Sequence, residues 1–306
     1  KAQRAEDGED ITWTSAIYQT LAKDEKIVVS IKTAISDAVR DDTEKLLATN
    51  VISVKDLREY CGRVVCMASL LHTWRPFLKM LWAPLYQEEA RGDAPRECLW
   101  IKQIDIPLRW IKAFLNRSSM MTREFSLADY FGEGMHVRIT TDASPFGLGG
   151  FITINHTIRE YFHDPLTDAD AKRFGHPLGC STGQQTWEAL ALLMALRVWS
   201  PLWSGRRVVL SVRSDSVSAL MAVLTLSSQG TNTNLIAREM ALDIADSIYR
   251  PSVIAHIPGI CNVIADVLSR WYDPSKKAEL PAPLVGATLR LLPHRDDAFF
   301  RAAVPP

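Results

Sequence analysis

The chain has 306 residues, and its 35 lysines and arginines balance 35 aspartates and glutamates. Hydrophobic residues make up 47% and charged residues 23%, values typical of a globular protein that exclude a disordered, collagen-like or coiled-coil chain. No stretch approaches the roughly 20 apolar residues of a membrane helix, so no membrane partner is expected. Five scattered cysteines fit reduced thiols and predict an intracellular protein, in the cytoplasm or nucleus. Because the sequence begins without a methionine, we expect a piece of a longer polypeptide.

The first half of the chain predicts mostly helices. Two short strands, at 11–13 and 27–29, flank a polar turn. Apolar residues at three- and four-residue steps then predict helices at 31–47, 54–71, 77–86 and 107–115. Ser53 is the expected N-cap of the second helix. Residues 116–134 have the composition of a connector, and we place a domain boundary there.

The second half predicts an α/β domain. Its order is three strands, a helix, a strand, two helices, a strand and a closing helix, at 136–141, 151–155, 157–162, 187–198, 208–212, 216–224, 234–249, 252–257 and 262–271. This order is typical of a mixed five-stranded sheet flanked by helices. The tail from Asp273 is rich in proline and is expected to be extended.

Four acidic residues occupy positions that this topology would gather. Asp142 closes the first strand and Asp215 the fourth, and these two strands can lie side by side. Glu188 lies near the start of the helix on the sheet, and Asp266 lies in the closing helix. Singly, each acid could be a turn former or a solvated helix residue. Together they indicate a metal site, because neighbouring carboxylates cannot all ionise cheaply without a cation.

The chemistry of such a site is phosphodiester hydrolysis. Mg²⁺ prefers oxygen ligands, and two ions about 4 Å apart can activate a water and stabilise the leaving oxygen. Gly147, Gly149 and Gly150 follow the first acid and would let a nucleic-acid backbone approach closely. The alternative is that these glycines form only a tight hairpin.

Four short motifs in this half, taken in order, resemble those of retroelement ribonuclease H domains. They are residues 141–150 (TDASPFGLGG), 186–192 (TWEALAL), 212–216 (VRSDS) and 256–270 (HIPGICNVIADVLSR). The resemblance covers about residues 135–272 and implies a ribonuclease H-like fold. It also implies cleavage of the RNA strand of an RNA–DNA hybrid, leaving 3′-hydroxyl and 5′-phosphate ends. The metal ligands it implies, for two Mg²⁺ ions that Mn²⁺ could replace, are Asp142, Glu188, Asp215 and Asp266.

The first half is similar to segments that precede such domains in reverse transcriptases. Residues 10–15 resemble the end of a palm and 51–63 a thumb, while 75–81 and 108–111 look like connector segments of DIRS-type and related elements. Residues 229–231, in the second half, resemble a string in the ribonuclease H region of that lineage. The resemblance therefore implies a palm end and linker helix at 1–50, a helical thumb and connection region at 51–134, the ribonuclease H-like domain at 135–272 and a proline-rich tail at 273–306. No Tyr-x-Asp-Asp string occurs, so the missing fingers and palm of the same polyprotein would be partners and this chain alone should not polymerise.

Nucleic-acid contacts are expected at a few further residues. Arg213, with Arg206 and Arg207 beside the same strand, is a candidate phosphate contact, although exposed strand-flanking arginines are as good an explanation. Trp13 could touch a primer strand or be a plain core residue. Ile260 stands where many cellular members of the family carry a histidine, which predicts slower turnover but intact metal binding.

Two other functions stay open at this level. The domain could be a catalytically inactive scaffold that only holds the duplex, although four intact acids argue against it. An actin-like or sugar-kinase-like phosphotransferase shares the strand order and an Asp followed by a glycine-rich turn. Such a protein needs a second copy of the domain with its own phosphate loop, and the helical first half offers none.

Overall fold

A computed structural model describes residues 11–13, 15–86, 93–227 and 230–304, with only the backbone described for Ile11, Trp13, Asp129 and Thr231. The chain divides into two compact units, residues 1–127 with 302–306 and residues 128–301. The finer division into four segments, predicted from the sequence, stays a prediction. No helix among the described residues is long and apolar enough to cross a membrane.

The first unit combines helices with a sheet. Its strands are β1 (Ile11–Trp13), β2 (Ala16–Leu21), β3 (Lys26–Ile31), β4 (Val51–Ser53), β5 (Cys98–Trp100) and β6 (Thr122–Ser126). Its helices are α1 (Thr33–Leu47), α2 (Val54–Leu70), α3 (Arg75–Tyr86), α4 (Asp105–Leu115) and α5 (Ser118–Met121), and α6 (Leu127–Phe131) follows at the boundary. Ser53 caps α2 as predicted, since its side chain accepts a hydrogen bond from the Asp56 amide.

The sheet of this unit is larger than the sequence pattern indicates. Among the described residues it has four antiparallel strands in the order β1-β2-β3-β6. Strand β6 lies in the segment that was predicted to be a connector. Its sequence, Thr-Arg-Glu-Phe-Ser, has no buried apolar face and pairs along one edge of β3, so it lacks the pattern that would have predicted a strand. The helices meet at an aromatic cluster in which Phe77 and Phe114 pack edge to face at 4.8 Å.

The second unit is an α/β layer with a mixed sheet, which confirms the predicted fold class. Its strands are β7 (Met135–Ala143), β8 (Gly147–Ile154), β9 (Thr157–Pro165), β10 (Val208–Ser214), β11 (Val253–His256) and β12 (Thr288–Leu289). Within the described ranges their order is β11-β10-β7-β8-β9-β12. Strands β7, β8 and β9 form the antiparallel meander, while β10 runs parallel to both β7 and β11. The sixth strand, β12, adds to the five that were predicted.

Helices flank this sheet. They are α7 (Asp168–Phe174), α8 (Gln184–Trp199), α9 (Val217–Thr225), α10 (Thr231–Ala245) and α11 (Val263–Ser269). Helix α8 is buried along almost its whole length, because it packs against β7 and β8 and also contacts α9 and α10. Helix α11 packs on β7 and β8. Helix α7 lies between the predicted strand at 157–162 and the predicted helix at 187–198, where the sequence pattern indicates no helix.

The C-terminal segment of the second unit is packed rather than freely extended. Leu284 is fully buried in a cluster with Tyr161 and Leu268. Strand β12 pairs with β9 through Thr288 and Leu289. The residues after 272 therefore contribute to the core and to the edge of the sheet.

Candidate metal centre

Adjacent parallel strands bring two acids to one edge of the sheet. Asp142 is the penultimate residue of β7, and Asp215 directly follows the last residue of β10. The register pairs Thr140 with Arg213, so the two acids come two residues later on each strand and at the same level. Glu188 is the fifth residue of α8, the helix that packs on β7. The topology thus places all three acids at the same end of the layer.

The side chains of these three acids converge. Carboxylate oxygens of Asp142, Glu188 and Asp215 all lie within 4.8 Å of one another. Asp142 and Glu188 are buried, and Asp215 is half-buried. Hard oxygen donors at this spacing are the ligand type that Mg²⁺ and similar divalent cations use. The cluster is compatible with divalent metal binding.

Burial has a large effect on the charge of this cluster. The pKa of Asp142 is raised to about 7, mainly by burial and also by the charges of Asp215 and Asp266, while the Ser269 hydrogen bond opposes the rise. Burial also raises the pKa of Glu188 well above its usual value, with Asp142 adding to the effect and the Gln184 hydrogen bond opposing it. Without a cation, Asp142 therefore keeps its proton up to about pH 7, and Glu188 releases its proton at a higher pH than an ordinary glutamate does. A bound cation would take the place of those protons.

Polar neighbours orient the acids. The Ser269 hydroxyl donates to Asp142 Oδ2 at 2.6 Å. The Gln184 amide donates to Glu188 Oε1 at 2.9 Å and to the backbone oxygen of Ala143 at 2.6 Å. These contacts fix one oxygen of each buried carboxylate.

Asn262 also reaches the cluster. Its Nδ2 lies 3.1 Å from the Thr141 backbone oxygen and 3.4 Å from both Asp142 Oδ1 and Asp215 Oδ1. Within the part of the chain that the structure describes, the buried Glu188 Oε2 has no hydrogen-bond partner. A buried acceptor without a partner is costly, and a cation among the three acids would satisfy it. The residues present therefore fit a divalent cation.

Sequence reasoning did not identify three of these polar neighbours. Gln184 precedes Glu188 by four residues, and that one-turn spacing on a helix is a signal that could have identified it. Ser269 and Asn262 lie at the two ends of α11, and nothing in their spacing from Asp142 indicates a contact.

Asp266 is not part of the converging group. Its Oδ1 accepts a hydrogen bond from Arg270 Nε at 2.7 Å, and both side chains are about two-fifths exposed. It acts on the cluster from nearby, as its charge contributes to the raised pKa of Asp142. Its predicted role as a fourth metal ligand stays a prediction.

The three glycines have a packing role in the fold. Gly147, Gly149 and Gly150 are buried in β8. A side chain at Gly149 would meet the Ser269 backbone nitrogen at 2.3 Å, and one at Gly150 would meet the Phe162 ring at 2.8 Å. Contact with α11 and β9 therefore accounts for the absence of side chains here. The predicted approach of a nucleic-acid backbone at these positions gains no support from this geometry.

The remaining predicted contacts lie away from the acids or outside the described atoms. Arg213 is half-buried on β10, where burial and the charge of Arg138 lower its pKa. Its Nε has no hydrogen-bond partner among the described residues. The side chain of Trp13 lies outside the described residues. Ile260 is 86% exposed in the turn before α11.

Neither a scan against models of known protein families nor a search of curated proteins gave a match. Among solved structures, the chain is similar to RNase H1 from the halophilic archaeon Halobacterium salinarum NRC-1. The identity is 14% and the TM-score 0.33, over 45% of this chain and 96% of that one. It is also similar to a foamy viral protease-reverse transcriptase dRH in complex with double-stranded DNA, at 14% identity and a TM-score of 0.29 over 81% of this chain and 38% of that one. Structural similarities this weak carry no argument about function, which is therefore argued from the geometry of the site.

Proposed function

We propose that the second unit is a metal-dependent endoribonuclease that cleaves the RNA strand of RNA–DNA hybrids. The convergence of Asp142, Glu188 and Asp215 within 4.8 Å carries this proposal. Three carboxylates gathered at the edge of a mixed sheet, two of them buried, have a high cost unless a cation joins them. The order of the four sequence motifs around these acids supports the choice of reaction.

The proposal assigns the acids to two ions. Asp142, Glu188 and Asp215 would hold Mg²⁺, or Mn²⁺ in its place, and a second ion would involve Asp266. The bound metal supplies activation of a water and stabilisation of the leaving oxygen. Ser269 and Gln184 hold the carboxylates of Asp142 and Glu188 in place, which keeps the free oxygens directed at the same space.

The substrate part of the proposal rests on weaker support. An RNA–DNA hybrid offers phosphates for the half-exposed side chain of Arg213 and 2′-hydroxyls that distinguish the RNA strand. The larger context is a reverse transcriptase of a retroelement, DIRS-like or related, whose palm and fingers would be partners. This context rests on the motif resemblance of the first half of the chain.

The test is a gel assay on a labelled RNA–DNA hybrid, with single-stranded RNA and duplex DNA as comparison substrates. The wild-type chain should cut only the RNA of the hybrid, in Mg²⁺ or Mn²⁺. Asp142→Asn should abolish cleavage and leave hybrid binding in place, whereas Asp168→Asn, at an exposed acid of the same unit, should cut normally.

Two results would contradict the proposal. If the wild-type chain binds the hybrid but never cuts it with either metal, the inactive scaffold is the better interpretation. If it hydrolyses a nucleotide in the absence of nucleic acid, the phosphotransferase alternative is favoured instead.

A further inference from the structure

Asn262 has an unusual position for an asparagine at the start of a helix. It directly precedes α11, where an asparagine side chain ordinarily caps the helix by accepting a hydrogen bond from a backbone amide. Here the side chain makes no capping hydrogen bond. It is 2% exposed and is directed at the acidic cluster instead. The local helix gives up a stabilising contact, which points to another role for this side chain.

The Asn262 amide lies between two of the acids. Its Nδ2 is 3.4 Å from Asp142 Oδ1 and 3.4 Å from Asp215 Oδ1, so one neutral donor contacts both carboxylates. The same NH₂ group donates to the Thr141 backbone oxygen at 3.1 Å, which fixes the amide with its nitrogen toward the acids. The side chain thus meets both carboxylates through its donor.

Asp266 does not have these properties. Its side chain is half-buried, is paired with Arg270, and lies outside the converging group. We propose that Asn262, rather than Asp266, is the fourth member of the primary cation site, where its NH₂ group is a positioning donor that keeps Asp142 and Asp215 converged on a bound cation. This inference rests on the proposed function only in taking the three acids as a cation site. A neutral donor holds two like charges together without adding a fourth negative charge.

The experiment measures Mn²⁺ binding to the full chain by calorimetry, without nucleic acid. Asn262→Ala should weaken Mn²⁺ binding by about 10-fold or more, the range typical for residues that support a metal site. Asp266→Asn should change the affinity by less than about 3-fold on the same scale. Asn234→Ala, at a buried asparagine outside the cluster, is the matched control and should leave binding unchanged. Equal affinity of Asn262→Ala and wild type, or a larger loss in Asp266→Asn, would overturn the inference.

A second variant separates positioning of the acids from a purely structural role. Asn262→Asp keeps the shape but loses the NH₂ donor, and it adds a like charge beside two carboxylates. The metal-free variant should have a lower melting temperature than wild type, and saturating Mn²⁺ should recover most of that loss because the cation then holds the carboxylates together. A loss that Mn²⁺ does not reduce would show that Asn262 only supports the fold and would overturn the inference. This comparison decides the question even if Asn262→Ala does not fold.

The two proposals can fail separately. If Mn²⁺ binding depends on Asn262 but the chain does not cut RNA–DNA hybrid, the proposed function is overturned and this inference stands. If the chain cuts the hybrid but Asn262→Ala binds Mn²⁺ as tightly as wild type does, the inference is overturned and the proposed function stands. A wild-type chain that binds no Mn²⁺ would overturn the inference directly.

Discussion

Asp142 accepts a 2.6 Å hydrogen bond from Ser269, yet burial still raises its pKa to about 7. The hydrogen bond favours the ionised form, whereas the loss of water around the carboxylate and the charges of Asp215 and Asp266 disfavour it. The larger effect is burial, so the site in its metal-free state is poised to exchange a proton for a cation. Metal affinity should therefore rise with pH across the neutral range, since ligands must be deprotonated to bind.

The raised pKa of Asp142 also predicts how metal-free stability depends on pH. The folded protein keeps this proton up to about pH 7, whereas the unfolded chain releases it near the ordinary value of 3.8. The folded state thus binds more protons between these limits, and the free energy of unfolding falls as pH rises through them. At about 1.4 kcal/mol per pKa unit, the loss amounts to a few kcal/mol.

Urea unfolding in the presence of a chelator, from pH 4 to pH 8, measures this effect. Asp142→Asn cannot ionise at this position, so it should gain stability relative to wild type as pH rises. Added Mg²⁺ should stabilise wild type most at the alkaline end, where the carboxylates are ionised. A stability difference between the two proteins that stays constant with pH would contradict the raised pKa.

At the residue scale, the sequence identified the acids but not their environment. Asp142 and Asp215 could be placed because parallel neighbouring strands end at the same edge of a sheet, which topology alone predicts. The contacts of Asn262 and Ser269 could not be placed, since they depend on how α11 docks against β7. The contacts of Asp266 could not be predicted either, because its side chain pairs with Arg270, four residues later, and not with the other acids.

Elements with a clear period were predictable, and short ones were not. Helices α2 and α8 have long apolar patterns, and the structure gives them at nearly the expected bounds. Helix α7 has only seven residues, too few for periodicity, and is defined instead by its ends. Thr167 and Asp170 form a capping box, and Gly175 ends the helix with a positive φ of 64°.

Strand β8 shows how an element can be misread from composition. Its first residues, from Gly147 to Gly150, look like a turn because they are rich in glycine. In the structure they are paired strand residues, and Gly149 lies opposite Asp142. Their lack of side chains lets α11 approach the sheet, which in turn brings Ser269 and Asn262 to the acids.

Gly149→Ala should therefore disturb both stability and metal binding. Its Cβ would lie 2.3 Å from the Ser269 nitrogen and 2.7 Å from the Ala265 oxygen, which are backbone atoms that cannot move alone. Helix α11 must shift, at a cost of about 1–3 kcal/mol typical of overpacking. The measurement is the free energy of unfolding together with Mn²⁺ affinity by calorimetry.

Gly62→Ala provides the comparison for this variant. Gly62 lies within α2, and a Cβ there would meet no atom within 4 Å. Alanine is the better helix former by roughly 0.5–1 kcal/mol, so this variant should be at least as stable as wild type. Gly149→Ala could instead be as stable as Gly62→Ala and bind Mn²⁺ as tightly as wild type. That result would show that the positions of Ser269 and Asn262 do not depend on the close docking of α11.

At the scale of the whole molecule, the segment after residue 272 was the least predictable part. Its prolines indicate an extended tail. Strand β12 has only two residues and Leu284 is a single buried apolar residue, so neither shows the periodicity from which an element could be predicted. In the structure Leu284 fills a core cluster. Arg295 is only 5% exposed and pairs with Asp170, which is 1% exposed, and with Asp164.

Arg295 gives the sharpest test of this packed segment. Arg295 donates to both carboxylate oxygens of Asp170 and to the backbone oxygen of Pro165, so it joins the C-terminal segment to the end of β9 and the start of α7. Removing one partner of a buried ion pair leaves an uncompensated charge, at a cost of about 3–5 kcal/mol. Arg295→Ala should lose this much stability in urea unfolding of the full chain.

The control for Arg295 is an exposed ion pair in the same segment. Lys277 and Glu279 pair at the surface with most of each side chain in solvent, and such pairs contribute about 0–1 kcal/mol. Lys277→Ala should therefore unfold almost as wild type does. If Arg295→Ala were equally mild, the segment after residue 272 would lie on the domain without supporting it, and a chain ending at residue 272 should keep its full stability. A loss several-fold larger at Arg295 would instead place the C-terminal segment within the folding unit that carries the acids.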